Sequence, residues 1–150
     1  MESRVADAVA LFESGYNCAQ AVFATYADLF GMDKETALKL SSPMGAGIGR
    51  MREVCGTVSG MSMLLGLKEG NADVSDQAAK QRVYEKTRQM ADRFKEESGS
   101  ILCRELLGIA GREASAAPSA RTDEYYAKRP CSRLVARAAQ IVEDMLVREV

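Results

Sequence analysis

The sequence predicts an all-α fold, a single-domain bundle of about six or seven helices made from the whole chain, residues 1–150. Three observations predict it. Apolar residues recur at intervals of three and four along most of the chain. No segment alternates apolar and polar residues over a useful length, and nothing repeats internally. Capping residues, glycines and prolines interrupt the periodic runs where helices of ordinary length start and stop. A chain this long buries about two-thirds of its unfolded surface, so it needs no disulfide framework to be stable.

The elements follow in order. Val5, Ala8, Val9 and Phe12 form a helical stripe that stops at Gly15, and Asn17 is a good N-cap for a second helix. Ala21, Val22, Phe23, Tyr26, Leu29 and Phe30 give that helix a broad buried face before Gly31 ends it. Asp33 can cap a third helix running to Leu40, and Pro43 closes it off. The glycine-dense segment PMGAGIGRMREVCG reads as a folded loop leading into a helix over 56–67, which Gly70 and Asn71 end. Residues 74–98 form the longest helix, amphipathic, with Val83, Met90 and Phe94 among many charges. Ser100 caps the short helix SILCRELLG, which ends at Gly108. GREASAAPSARTDEYYAKRP is linker-like, and Pro130 introduces a last helix from Cys131 to about Glu149. Leu134, Val135, Ala138, Ile141, Val142, Met145 and Leu146 supply its apolar face.

The 20 basic and 21 acidic side chains nearly cancel and are interleaved, which removes the electrostatic case for nucleic acid or an anionic membrane surface as partner. The first fifteen residues carry acids and helical spacing, unlike a signal peptide, so a cytoplasmic protein is expected. The longest mostly apolar run, 54–67, falls short of the roughly 20 residues that span a bilayer and reads as a core helix, without membrane insertion.

Four cysteines are present and histidine is absent, which removes the commonest general base and the commonest metal ligand together. Cys18, Cys55, Cys103 and Cys131 each fall in the first turn of an expected helix. There, free backbone N–H groups and the positive end of the helix dipole stabilise a thiolate, the form that attacks disulfides and ligates metals. The competing reading is that all four are small core hydrophobes. Between successive cysteines lie 36, 47 and 27 residues, which match no local zinc or ferredoxin motif, so any shared site must be assembled by the fold.

Neighbouring residues carry paired readings. Gly56 and Gly60 share a helical face with Met63 and Leu67, which lets another backbone approach near Cys55; ordinary helix packing through small residues explains them equally. GAGIGR lacks the lysine and hydroxyl residue of a P-loop and follows no strand, which argues against a nucleotide. It is either a backbone nest for an anion or sulfur ligands, or an irregular turn. Arg50 and Arg52 either support a thiolate or are solvated surface charge, and Tyr125 and Tyr126 either cover a site near Cys131 or anchor their loop.

GYNCAQAVF, the glycine-rich MGAGIGR, CGTVSG, ILCRELLG and RPCSRLV, in this order, resemble the C_GCAxxG_C_C family of small redox-type proteins over nearly the whole chain. The resemblance implies that Cys18, Cys55, Cys103 and Cys131 are the four characteristic cysteines and that Cys55, Gly56 and Gly60 belong to the CGAxxG-like motif. Thr57 stands where that motif has alanine. A related pattern is similar to part of the split-Soret cytochromes, where such cysteines accompany an iron–sulfur centre; with no CxxCH and no histidine, the haem portion does not carry over.

The leading expectation is therefore a redox protein whose four cysteines converge. They would either hold an iron–sulfur cluster for electron transfer, with Gly56 and Gly60 giving it room, or cycle between dithiol and disulfide. A structural zinc on the same four ligands is an alternative without redox chemistry. A redox partner protein is expected in the first case. The contrasting class is a helical interaction module, a homodimer or a subunit of a larger assembly, with structural cysteines. No paired carboxylates, triad or phosphate loop specifies an enzymatic reaction.

Overall fold

A computed structural model describes residues 1–148, and the expected end of the last helix at Glu149 lies outside them. Among the described residues there are eight helices: α1 (Val5–Glu13), α2 (Cys18–Tyr26), α3 (Lys34–Ser41), α4 (Gly56–Glu69), α5 (Gln77–Ser98), α6 (Cys103–Leu107), α7 (Asp123–Lys128) and α8 (Cys131–Val142). The fold is all-α, as its periodicity predicts, and no described helix is long and apolar enough to cross a membrane.

α2 is the centre of the bundle. Seven of its nine residues are buried, including Ala21, Val22, Phe23 and Tyr26, and it packs against α1, α3, α4 and α8. A helix apolar around its whole circumference has no face to give to water. Asn17 fixes where it starts: its side chain accepts from the Gln20 N–H at 2.9 Å while Gln20 accepts from the Asn17 N–H at 3.0 Å, a complete capping box. α5 is the opposite case, with Met90 and Phe94 buried and its charged faces outside.

Several expected boundaries move. α2 ends at Tyr26, and Leu29 and Phe30 fall in a 3-10 turn that runs to Gly31, with Leu29 exposed and not on the buried face. α5 starts at Gln77 and not at 74, because the Asp76 carboxylate caps the Ala79 N–H and Asp73 ties Ser75 into a preceding turn. Ser100 is not the N-cap of α6. The chain before α6 is extended and pairs antiparallel with the chain before α4, so that the Cys55 N–H donates to the Ile101 carbonyl at 2.8 Å and the Cys103 N–H to the Glu53 carbonyl at 2.7 Å. Ser100 Oγ instead accepts from the Leu102 N–H. The linker-like stretch contains α7, started by the Thr122 side chain on the Tyr125 N–H.

The glycine-dense loop is a left-handed turn. Ala46, Gly47, Ile48, Gly49 and Arg50 all have φ between 54° and 68°, and Arg52 follows at 58°. Each non-glycine residue there costs about 1–2 kcal/mol. The turn persists because it is tied at both ends, by Gly49 N–H to the Pro43 carbonyl at 3.0 Å and Glu53 N–H to the Gly47 carbonyl at 2.9 Å. At Gly47 a Cβ would fall 2.6 Å from the Arg52 Cα and 2.7 Å from the Cys103 Cβ, so the turn closes directly onto a cysteine.

Candidate functional site: a cavity lined by four cysteines

Each cysteine sits where the periodicity places it. Cys18, Cys103 and Cys131 are the first residues of α2, α6 and α8, and Cys55 is the N-cap of α4. The tertiary structure brings these four helix starts to one cavity of about 50 Å³, lined by all four cysteines together with Ala46, Arg52, Thr57, Arg121, Tyr125 and Arg129. The antiparallel bridge holds the starts of α4 and α6 side by side.

Close approach of α2 and α4 creates the tightest part of the site. A Cβ on Gly56 would lie 2.6 Å from Cys18 Sγ and 3.0 Å from the Ala19 nitrogen; one on Gly60 would lie 3.1 Å from the Ala19 carbonyl oxygen. The two readings of these glycines therefore merge, because packing α2 onto α4 is what sets Cys18 against Cys55. Neither glycine lines the cavity.

The expectation that every first-turn cysteine favours the thiolate is corrected: it holds at Cys18 alone. The Cys55 thiol donates toward the Cys18 sulfur, and the backbone N–H groups of Ala46, Ala19 and Cys18 itself add to this, so that burial is outweighed and the Cys18 pKa falls to about 6. From the left-handed turn, the Ala46 N–H is the group that contributes to this. Cys55 is held protonated well above the ordinary thiol range by Cys18 and then by burial, against an opposing contact with Thr57 Oγ1 at 3.0 Å. Burial raises Cys103 despite its contact with Arg52, and burial followed by the negative charge at Cys18 pushes Cys131 up to about 12. Where a thiol is enclosed without several N–H donors, desolvation exceeds the helix-end effect. Cys18 is half-buried while Cys55 is 5 % exposed.

Arg52 is no surface residue. It is 2 % exposed, with Nη1 3.5 Å from Cys103 Sγ and Nη2 3.2 Å from Glu113 Oε1. Arg50 turns away from the sulfurs and holds the Ser115 carbonyl and the Ser119 hydroxyl. The two tyrosines divide their proposed roles: Tyr125 lines the cavity, whereas Tyr126 stands edge-on to Phe12 and donates to the Glu13 carbonyl at 3.1 Å, anchoring α7. Sequence reasoning missed Arg121 and Arg129, whose guanidiniums lie 5.0 and 4.8 Å from the Tyr125 ring centroid. The alternation of arginine and tyrosine in RTDEYYAKRP was their only signal.

Among the described residues no three Cys, Asp or Glu side chains are gathered closely enough to hold a metal ion. The four sulfurs share a wall without closing on one point, so a single zinc does not fit them as they stand.

The model of the family described as "Putative redox-active protein (C_GCAxxG_C_C)" matches residues 16–145, a span that contains every cysteine of the site. The chain belongs to the C_GCAxxG_C_C family. Comparison with curated proteins and with solved structures finds no match. In this C_GCAxxG_C_C protein the alanine of the motif is replaced by the fully buried Thr57, whose hydroxyl reaches Cys55.

Two consequences are testable on purified protein. Gly56→Ala forces Cys18 or the start of α2 to shift, at a cost of about 1–3 kcal/mol from overpacking. Urea unfolding measures that loss, and thiol titration should show the Cys18 pKa rising as Cys55 is displaced. Stability should also peak in the alkaline range. Between the folded Cys18 value of about 6 and the ordinary value of 9.0, the unfolded chain binds the extra proton, so stability rises with pH. Above 9.0 the unfolded chain loses protons that Cys55, Cys103 and Cys131 keep when folded, so stability falls. Thermal melts across pH 6 to 11 in reductant follow both limbs; a flat profile would show that these thiols titrate normally.

Proposed function

We propose that this protein is a thiol–disulfide redox protein in which Cys18 is the attacking thiolate and Cys55 the resolving thiol. The observation that carries the reading is that Cys18 and Cys55 line one cavity, with the half-buried Cys18 thiol held low and the buried Cys55 thiol held high by their mutual interaction. Cys18 thiolate attacks one sulfur of a disulfide RS–SR′, forming Cys18–S–S–R and releasing R′S⁻. The Cys55 sulfur then attacks Cys18, RS⁻ leaves, and the Cys55 proton goes to that leaving thiolate. Two protein thiols become one disulfide and the substrate disulfide becomes two thiols. A partner dithiol restores the reduced protein by the reverse exchange. The N–H groups of Ala46 and Ala19 stabilise Cys18 as a leaving group in that step.

A second reading, an iron–sulfur cluster on the four cysteines, is supported by their sharing one cavity. It would supply one-electron chemistry, and it requires the Cys18–Cys55 contact to open.

One preparation tests both. Protein purified anaerobically is assayed for iron, sulfide and zinc, then titrated for thiols before and after one equivalent of a small disulfide. The exchange reading expects metal-free protein that loses two thiols per chain, with peptide mapping placing the bridge at Cys18–Cys55. Stoichiometric iron and sulfide supports the cluster instead. Colourless, metal-free protein whose thiols stay free, and whose partner binding survives replacement of all four cysteines, supports the interaction module.

A further inference from the structure

We infer that the cysteine cavity is also an anion-binding site, so that the substrate of Cys18 is a small sulfur electrophile carrying a negatively charged oxygen group beside the sulfur that reacts. This rests on the exchange reading of Cys18. Arg52 Nε is buried and has no hydrogen-bond partner, the one such side-chain atom among the described residues. Leaving a charged donor unsatisfied in the interior is costly, so the enclosed Arg52 guanidinium gains from negative charge brought beside it. Arg52 lines the cavity.

The surrounding charge favours the same class of ligand. Three guanidiniums line the cavity, Arg52, Arg121 and Arg129, and no Asp or Glu does. Glu113, on Arg52 Nη2 at 3.2 Å and shared with Arg50 at 3.7 Å, and the Cys18 thiolate offset part of this positive charge. Arg121 has its donors committed to the Phe12 and Tyr16 carbonyls at 2.9 and 3.0 Å and contributes field alone. Arg129 lies over the Tyr125 ring. A cavity of about 50 Å³ exceeds the 10–15 Å³ that one water needs, and admits a group of a few atoms. In the exchange, the thiolate attacks the sulfur while the oxyanion stays on the arginines; the bonds made and broken are those already written, and the charged group changes only which disulfide binds.

Two alkylating probes of nearly equal size, neutral iodoacetamide and anionic iodoacetate, test this, with the extent of modification read at the Cys18 peptide at pH 7. The ratio of iodoacetate to iodoacetamide rates at Cys18, divided by the same ratio for N-acetylcysteine, should be about threefold or more. Formate should slow iodoacetate selectively, and Arg129→Gln, a change at a half-buried position away from the core, should bring the ratio toward one. A ratio at or below one, with Cys18 still fast toward iodoacetamide and still able to form its disulfide with Cys55, overturns the anion site and leaves the exchange reading intact. A Cys18 slow toward both reagents and forming no disulfide removes the exchange reading and the anion site with it.

Discussion

Cys18→Ser should abolish disulfide formation completely, while Cys55→Ala should stop the reaction halfway. In the first variant no attacking thiolate remains, because Cys55, although released from the influence of Cys18, is still enclosed at 5 % exposed and burial still disfavours its thiolate. In the second, Cys18 still attacks, and a mixed disulfide accumulates at one equivalent, visible as a mass increase that reductant reverses. Removing Cys55 also takes away the foremost influence on Cys18, so its pKa should climb from about 6 toward 9.0, read as the midpoint of an alkylation pH profile. The rate at pH 7 will change much less than that shift suggests. Cys18 is about 90 % thiolate at pH 7 and an ordinary thiol about 1 %, but nucleophilicity falls with pKa at a Brønsted slope of about 0.4–0.5, leaving a net gain of about fourfold. The lowered pKa therefore matters mostly for Cys18 as a leaving group. If Cys55→Ala forms no mixed disulfide and keeps its midpoint near 6, the two sulfurs do not act as a pair.

Glu143→Ala should cost about 1–3 kcal/mol of stability, because a buried donor loses its acceptor. Glu143 is 2 % exposed, and its Oε2 accepts from the Arg4 N–H at 2.7 Å, the Ser3 hydroxyl at 3.2 Å and the Tyr26 hydroxyl. Arg148 lies 3.6 Å from Oε1. Burial pushes the Glu143 pKa up, yet these donors more than offset it and hold the carboxyl below its usual range. Deletion leaves the Tyr26 hydroxyl buried without its acceptor and unties the start of α1 from α8, so α2 loses the partner at its far end from Cys18. Glu143→Gln keeps an acceptor and should cost clearly less. Urea denaturation separates the two variants, and equal losses would mean that the charge and not the hydrogen bonds is what matters. Because the folded pKa is depressed, the stabilisation is present above the unfolded carboxyl value and disappears as pH falls through the folded one.

The cysteines and the boundaries show where sequence reasoning reaches and where it stops. Asn17, Asp33 and Gly56 mark helix starts through local chemistry, a side chain on an N–H two or three residues away or a glycine where chains meet, and each is found where the structure has it. Ser100 misleads because a partner nearly fifty residues distant, the strand-like segment at Val54, claims the backbone before α6. Arg52 misleads in the same way, since an arginine among polar neighbours reads as surface until Cys103 and Glu113 are seen to close over it.

By itself the chain's periodicity determined an all-helical architecture and a cysteine at the start of each of four helices, because capping and amphipathic spacing act over a few residues. Only the tertiary structure decided that those starts share one cavity and that Cys18 alone takes the thiolate form. Burial, a neighbouring S–H and the N–H of Ala46 come from segments far apart along the chain, and the balance of desolvation against hydrogen bonding exists only once they meet.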